Sequence, residues 1–348
     1  MPVPDLPALV RPDDLRAGVP DPTVQPDGRV SGAAVLLALD QPVTGAALDQ
    51  VLAALAARNA VVVGVADRPL TPAGLALARG CDTSLGRQEL REVVQHEHPE
   101  AAARQLAARI EAHPRAALVL GSVLAQTEHL PLHLALAAEA AGYSTLLAGP
   151  EFAHWLTRRG PAREPAGPGG EPLSLERVDG VLHVRLTRPE RRNALDAGLR
   201  AALVDALLVA GEQGWSVRLS GDGPVFCSGG DLDEFGTAAD PATAWVVRTT
   251  THPGRALAAV APRAQVLLHG ACAGAGIELA AFAGQVQARP GTTLRLPELA
   301  MGLLPGAGGT VSLPLRAGRW RTAWMALSGQ PVDAPTALRW GLVDELVR

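Results

Sequence analysis

Between Arg158 and Pro172 the chain reads RRGPAREPAGPGGEP, a Pro- and Gly-dense run without apolar period, and on both sides of it short apolar strands alternate with amphipathic helices. Proline and glycine at this density cannot continue a helix or a central strand. The run therefore predicts a linker at 158–173 between a first body at 1–157 and a second at 174–348. Strand–helix alternation on each side restricts both bodies to layered α/β folds with right-handed crossovers. A chain of 348 residues, 47% of them apolar, is long enough for two such cores.

In the second body, LSLERV and Val181–Leu186 predict strands around an Asp179–Gly180 turn. A helix from Asp196 to about Ala210 and a strand over Trp215–Leu219 follow. Next come a helix over Pro241–Val260, a strand over Ala264–Leu268, a glycine-rich turn, a helix over Gly276–Ala283 and a strand over Val286–Arg289. The first body repeats this order, with AALVLG (Ala116–Gly121) as a strand and Leu130–Ala141 as a helix. Short likenesses, such as AHPRAALVLG against VAPRAQVLLHG, predict an internal duplication.

A net charge of -4 leaves no basic footprint for nucleic acid, and no apolar run approaches a membrane span. The opening MPVPDLPALVRPDD has no charged region ahead of an apolar one, so a cytoplasmic location is expected. Cys81, Cys227 and Cys272 lack metal-ligand spacing, so neither a disulfide nor a metal site is expected. All 31 basic residues are Arg, so a phosphate here must be met by Arg, a backbone amide or a helix N-terminus.

Four stretches carry chemistry. RPERRNALD (188–196) joins a strand to a helix. PVFCSGGDLDEF (224–235) ends a strand in a glycine turn that lets a ligand approach the backbone. HGACAGAGIELA (269–280) runs from a buried strand into a helix N-terminus, where free amides suit a developing oxyanion, and it puts Glu278 on an apolar helix. LRLPELAMGLLPGAGGTVSLP (294–314) places Glu298 20 positions after Glu278. A carboxylate on so apolar a helix is either held by N-terminal amides or catalytic.

Together these stretches resemble the crotonase (enoyl-CoA hydratase/isomerase) superfamily over 174–348. The resemblance implies a ββα spiral core, with the first body a degenerate, non-catalytic copy of similar α/β architecture. It also implies a thioester oxygen held by the N–H groups of Gly230 and Ala275, and Glu278 and Glu298 as the acid–base pair. Arg191, Arg192, Ser228 and Asp231 are then the candidates for binding coenzyme A, which enters as part of the substrate and not as a prosthetic group. Hydration of an enoyl thioester requires one group to take a proton from water and one to protonate the α-carbon. Isomerisation, decarboxylation or thioester hydrolysis on the same enolate site stays open, as does a non-catalytic acyl-thioester-binding subunit.

Two departures stand out. Relatives continue past the GLVDE ending with helices that cover the acyl pocket and build a trimer; cover from the first body is the alternative expected here, with a homo-oligomer as the family's habit. Where relatives often have Lys after the GGD turn, this chain has Asp233 and Glu234, so a carrier-protein thioester stands beside acyl-CoA as substrate.

Overall fold

The computed structural model describes residues 7–43, 45–161 and 171–348, so most of the predicted linker lies outside the described residues. The chain is a mixed α/β protein and divides into two compact units. Unit one comprises 1–125 together with 317–328; unit two comprises 126–316 and 329–348. The boundary therefore falls some thirty residues before the linker expected at 158–173, and one late helix belongs to the early unit.

Unit one is built on a parallel sheet in the order Leu9–Val10, Ala34–Ala38, Val61–Ala66, Thr83–Gly86, Val94–Gln95. The two central strands are buried on both faces, which is why AVLLA and VVVGVA are continuous apolar runs without alternation. Helix Pro99–Ala112 lies against this sheet, as does Arg319–Ser328, whose Arg319 donates to the Cys81 carbonyl at 3.1 Å.

The expected strand AALVLG is instead part of a helix, Pro114–Thr127. Proline supplies the first turn, and Ala116, Ala117, Leu120, Val123 and Leu124 are buried at helical spacing. This correction removes the strand on which the best of the internal likenesses depended.

Unit two contains a six-stranded sheet in the order Glu345–Leu346, Gln285–Ala288, Ala264–Leu268, Ser216–Gly221, Val181–Leu186, Leu173–Val178. Its pairs are parallel except the last, the hairpin turning at Asp179 and Gly180. A small second sheet joins Ala271–Ala273, Thr293–Arg295 and Val332–Asp333. The helix predicted over Pro241–Val260 is broken into Pro241–Thr250 and Pro253–Ala259, because Pro253 can only begin a helix.

Two helices that precede the linker, Leu132–Leu147 and Pro150–Arg159, belong to unit two. The second of them packs on the glycine turn: Trp155 meets Phe235 with ring centroids 6.3 Å apart, and Arg159 pairs with Asp233. Cover from the earlier part of the chain is thus present, carried by helices and not by a second spiral. Among the described residues no helix is long and apolar enough to cross a membrane.

Candidate active site

A cavity of about 340 Å³ opens in unit two, and Gly230, Asp231, Ala275, Glu278 and Glu298 all line it. The sequence set these residues on three separate stretches, and the fold gathers them. Arg191, Arg192 and Ser228 do not line it. Arg191 is instead tied to Asp231 at 2.5 Å and to Asp233 at 3.0 Å, and Ser228 donates its amide to the Arg192 carbonyl. Asp231 caps the short turn after it by accepting from the Asp233 amide.

The glycine turn and the following helix present backbone rather than side chains. Gly229 has a positive φ of 106°, and a Cβ there would stand 3.0 Å from the Ala273 carbonyl oxygen, so glycine suits the position on both counts. Parallel pairing of Leu195 with Gly230 fixes the turn, since Leu195 donates to the Gly229 carbonyl and accepts from the Asp231 amide. The Gly230 amide is passed over in this pairing. Ala275 opens a one-turn helix, so its amide has no partner within that helix either. Among the described residues neither N–H has an acceptor, and both belong to residues lining the cavity.

The two glutamates flank one backbone position. A Cβ placed on Gly274 would stand 2.5 Å from Glu298 Oε1 and 3.7 Å from Glu278 Oε1, so glycine there leaves room for both carboxylates. Glu278 is anchored through Oε2, which accepts from the amides of Ala307 (2.7 Å) and Gly309 (2.9 Å). Glu298 keeps Oε2 buried and, among the described residues, without a partner. A buried polar oxygen with no partner is uncommon enough to mark a place where something else belongs.

A third carboxylate, unforeseen in the sequence, lies behind this pair. Glu139, on helix Leu132–Leu147, accepts from the Gly308 amide (2.7 Å), the Thr310 amide (2.9 Å) and Thr310 Oγ1 (2.7 Å). The PGAGGT loop thus sends the amides of Ala307 and Gly309 to Glu278 and those of Gly308 and Thr310 to Glu139. The available signal was an acid on an apolar helix, LALAAEAAGY, the same signal that singled out Glu278. Tyr143, one turn further on, lines the cavity and carries Arg248 over its ring at 3.6 Å.

Burial raises the pKa of all three carboxyls. Glu139 is pushed up to about 7 and Glu298 to about 8, with Glu139 adding to the rise of Glu298. Glu278 is driven well above the carboxylate range by burial, then by Glu298 and Glu139, against the pull of its two amides. Three such groups cannot all be charged at neutral pH, so the cluster holds protons that can move.

The family model described as enoyl-CoA hydratase/isomerase matches residues 176–348. A Rhodobacter capsulatus protein named "Probable enoyl-CoA hydratase" is 36% identical over 176 residues, which are 50% of this chain and 68% of that protein. The 2,3-dehydroadipyl-CoA hydratase of Escherichia coli K12 is 34% identical over the same shares of each chain. Among solved structures, the enoyl-CoA hydratase of Thermoplasma volcanium is 31% identical, matching 51% of this chain and 72% of its own, with a TM-score of 0.45. The chain is an enzyme of the enoyl-CoA hydratase/isomerase family, within the crotonase superfamily.

Proposed function

We propose that the enzyme adds water to an α,β-unsaturated acyl thioester of coenzyme A, or removes it. The observation that carries this reading is the pairing of Glu278, anchored at one oxygen, with Glu298, whose Oε2 is buried and has no partner among the described residues, in a cavity also lined by Gly230 and Ala275, whose amides have no acceptor among those residues. Hydration needs two acid–base groups on one face, and the site offers two. Both relatives named above are hydratases by name.

In the proposed mechanism the thioester oxygen accepts from the N–H groups of Gly230 and Ala275. As the enolate develops, negative charge gathers at that oxygen. Each well-placed donor is worth about 3 kcal/mol there, because its dipole is fixed before the reaction begins. Glu278, once ionised against the burial that raises its pKa and with two amides holding its Oε2, takes a proton from the attacking water as that oxygen bonds to the β-carbon. Glu298, which burial keeps in its protonated form, delivers the proton to the α-carbon. Passage of the proton from Glu278 to Glu298 then restores the pair. Coenzyme A serves as the substrate's handle and no prosthetic group enters. The candidates for its phosphates stay Arg191, which also pairs with Asp231 and Asp233, and Arg192.

The test is loss of the conjugated-thioester absorbance when a short enoyl-CoA is mixed with the enzyme. Wild type turns over, and Glu278→Gln and Glu298→Gln each lose about a hundredfold or more. A wild type that binds the thioester but never hydrates it, or that shifts the double bond instead, removes the hydratase reading. Loss confined to one of the two variants would leave a one-carboxylate isomerase.

A further inference from the structure

The cavity wall formed by helices Ala197–Glu212 and Pro241–Thr250 is cationic. Arg200 comes from the first helix and Arg248 from the second, and both line the cavity with the catalytic candidates. Arg200 is half-buried, its Nε is sealed from solvent, and among the described residues that nitrogen has no partner. Two carboxylates lie near it, and both are engaged elsewhere. Glu234 accepts from the Ala197 amide at 2.9 Å, while Asp196 pairs with Arg188 and caps the helix through the Leu199 amide. Arg248 donates to the Gly306 carbonyl at 2.7 Å and stacks on Tyr143.

Neighbouring groups report the excess of positive charge. Burial, opposed by Glu234 and reinforced by Arg248, lowers the pKa of Arg200. His252, on the same wall, is pushed down to about 4 by burial and then by Arg248, Arg255 and Arg200. A purely hydrocarbon acyl chain packed here would desolvate two guanidinium groups and return nothing to them. A carboxylate would meet the planar fork of donors for which arginine is suited.

We infer that the acyl group carries an anionic end, a carboxylate bound by Arg200 with Arg248 beside it, so that the substrate is an ω-carboxyacyl thioester. This rests on the hydratase reading for its chemistry and on the cavity wall for its specificity. The phosphates of coenzyme A share the same anionic chemistry, and the geometry separates the two. Arg248 grips the oxygen of the Gly306–Ala307 peptide, whose N–H holds Glu278. One peptide unit therefore separates that guanidinium from a reacting carboxylate, whereas the whole pantetheine arm stands between the thioester and the phosphates.

The experiment is titration calorimetry on the full chain with three probes: hexanoyl-CoA, its ω-carboxylate counterpart of equal length, and free coenzyme A. The wild type binds the carboxylated thioester about 10- to 100-fold more tightly than the neutral one, the range of a charge-assisted hydrogen bond. Arg200→Met abolishes most of that ratio and Arg200→Lys retains part of it. Equal binding of the two thioesters by wild type overturns the inference, with no variant required. So does an Arg200→Met enzyme that loses free coenzyme A as severely as the carboxylated thioester, which would make Arg200 a phosphate contact. Because these probes are saturated and cannot be hydrated, the result stands apart from the hydration assay. Tight carboxylate-dependent binding without turnover of the matching enoyl thioester would sink the hydratase reading alone.

Discussion

Replacing Glu139 by Ala removes the acceptor for three buried donors, the amides of Gly308 and Thr310 and the hydroxyl of Thr310. At about 1 to 1.5 kcal/mol each, their loss costs about 3 to 5 kcal/mol. That figure applies where Glu139 is protonated, since the Thr310 hydroxyl can turn to accept from the acid and keep all three contacts. Raising the pH adds an opposing effect. The carboxyl's pKa is near 4.5 in the unfolded chain and about 7 when folded, so the stability that burial of the neutral form provides is complete below 4.5 and is lost as pH climbs through 7. Each pKa unit is worth about 1.4 kcal/mol, so about 3 kcal/mol of wild-type stability disappears over that window. Alanine does not titrate. The deficit of Glu139→Ala, read from urea midpoints, is therefore about 3 kcal/mol at pH 5 and shrinks to about 1 kcal/mol or less at pH 9. A deficit under 1 kcal/mol at pH 5, or one that grows with pH, would show that Glu139 does not hold the loop as argued.

Three further outcomes follow from the same geometry. Glu298→Gln, which removes a buried carboxyl raised to about 8, raises the urea midpoint at pH 9 even as it stops hydration; a lower midpoint there would refute the assigned burial cost. Wild type itself unfolds at lower urea as pH rises from 6 to 9, and a midpoint that rises instead would contradict the raised values of Glu139 and Glu298. Gly276→Ala drives a methyl group into the Cys227 carbonyl, a backbone atom that cannot rotate away, and costs about 1 to 3 kcal/mol in thermal or urea unfolding; a neutral result would mean that the turn can shift without loss.

The parts of the site legible in the sequence are those built from backbone. Glycine-rich turns advertise themselves, because Gly229, Gly274 and Gly276 stand where any side chain would strike a carbonyl or a carboxylate. Glu278 and Glu298 were readable as acids in apolar surroundings at a set spacing. Glu139 carried the first of these signs but not the second: it lies 169 residues from Gly308 and on the far side of the linker, and nothing local in the sequence joins the two. AALVLG was misread because a six-residue apolar run fits a buried strand and a buried helix equally well. Pro114 just before it and the further helical positions after it decided the matter. The Pro- and Gly-dense run expected as a linker does not coincide with the boundary between the two compact units, which falls at 125–126. Composition marks where helix and strand patterns stop, not which segments share a core.

The interleaved amides of the PGAGGT loop bear on how such an enzyme can diversify. Two carboxylates take alternate N–H groups from four consecutive residues, so inserting or deleting one residue between Ala307 and Thr310 would hand each acid its neighbour's donors. The loop's length is therefore not adjustable. Arg200, by contrast, projects from the side of a helix, where one side chain can be exchanged without altering the register of any peptide, whereas Arg248 is tied to the loop through the Gly306 carbonyl. Reaction and selectivity thus occupy separable parts of one cavity, and new substrates are to be sought by changing its helical wall.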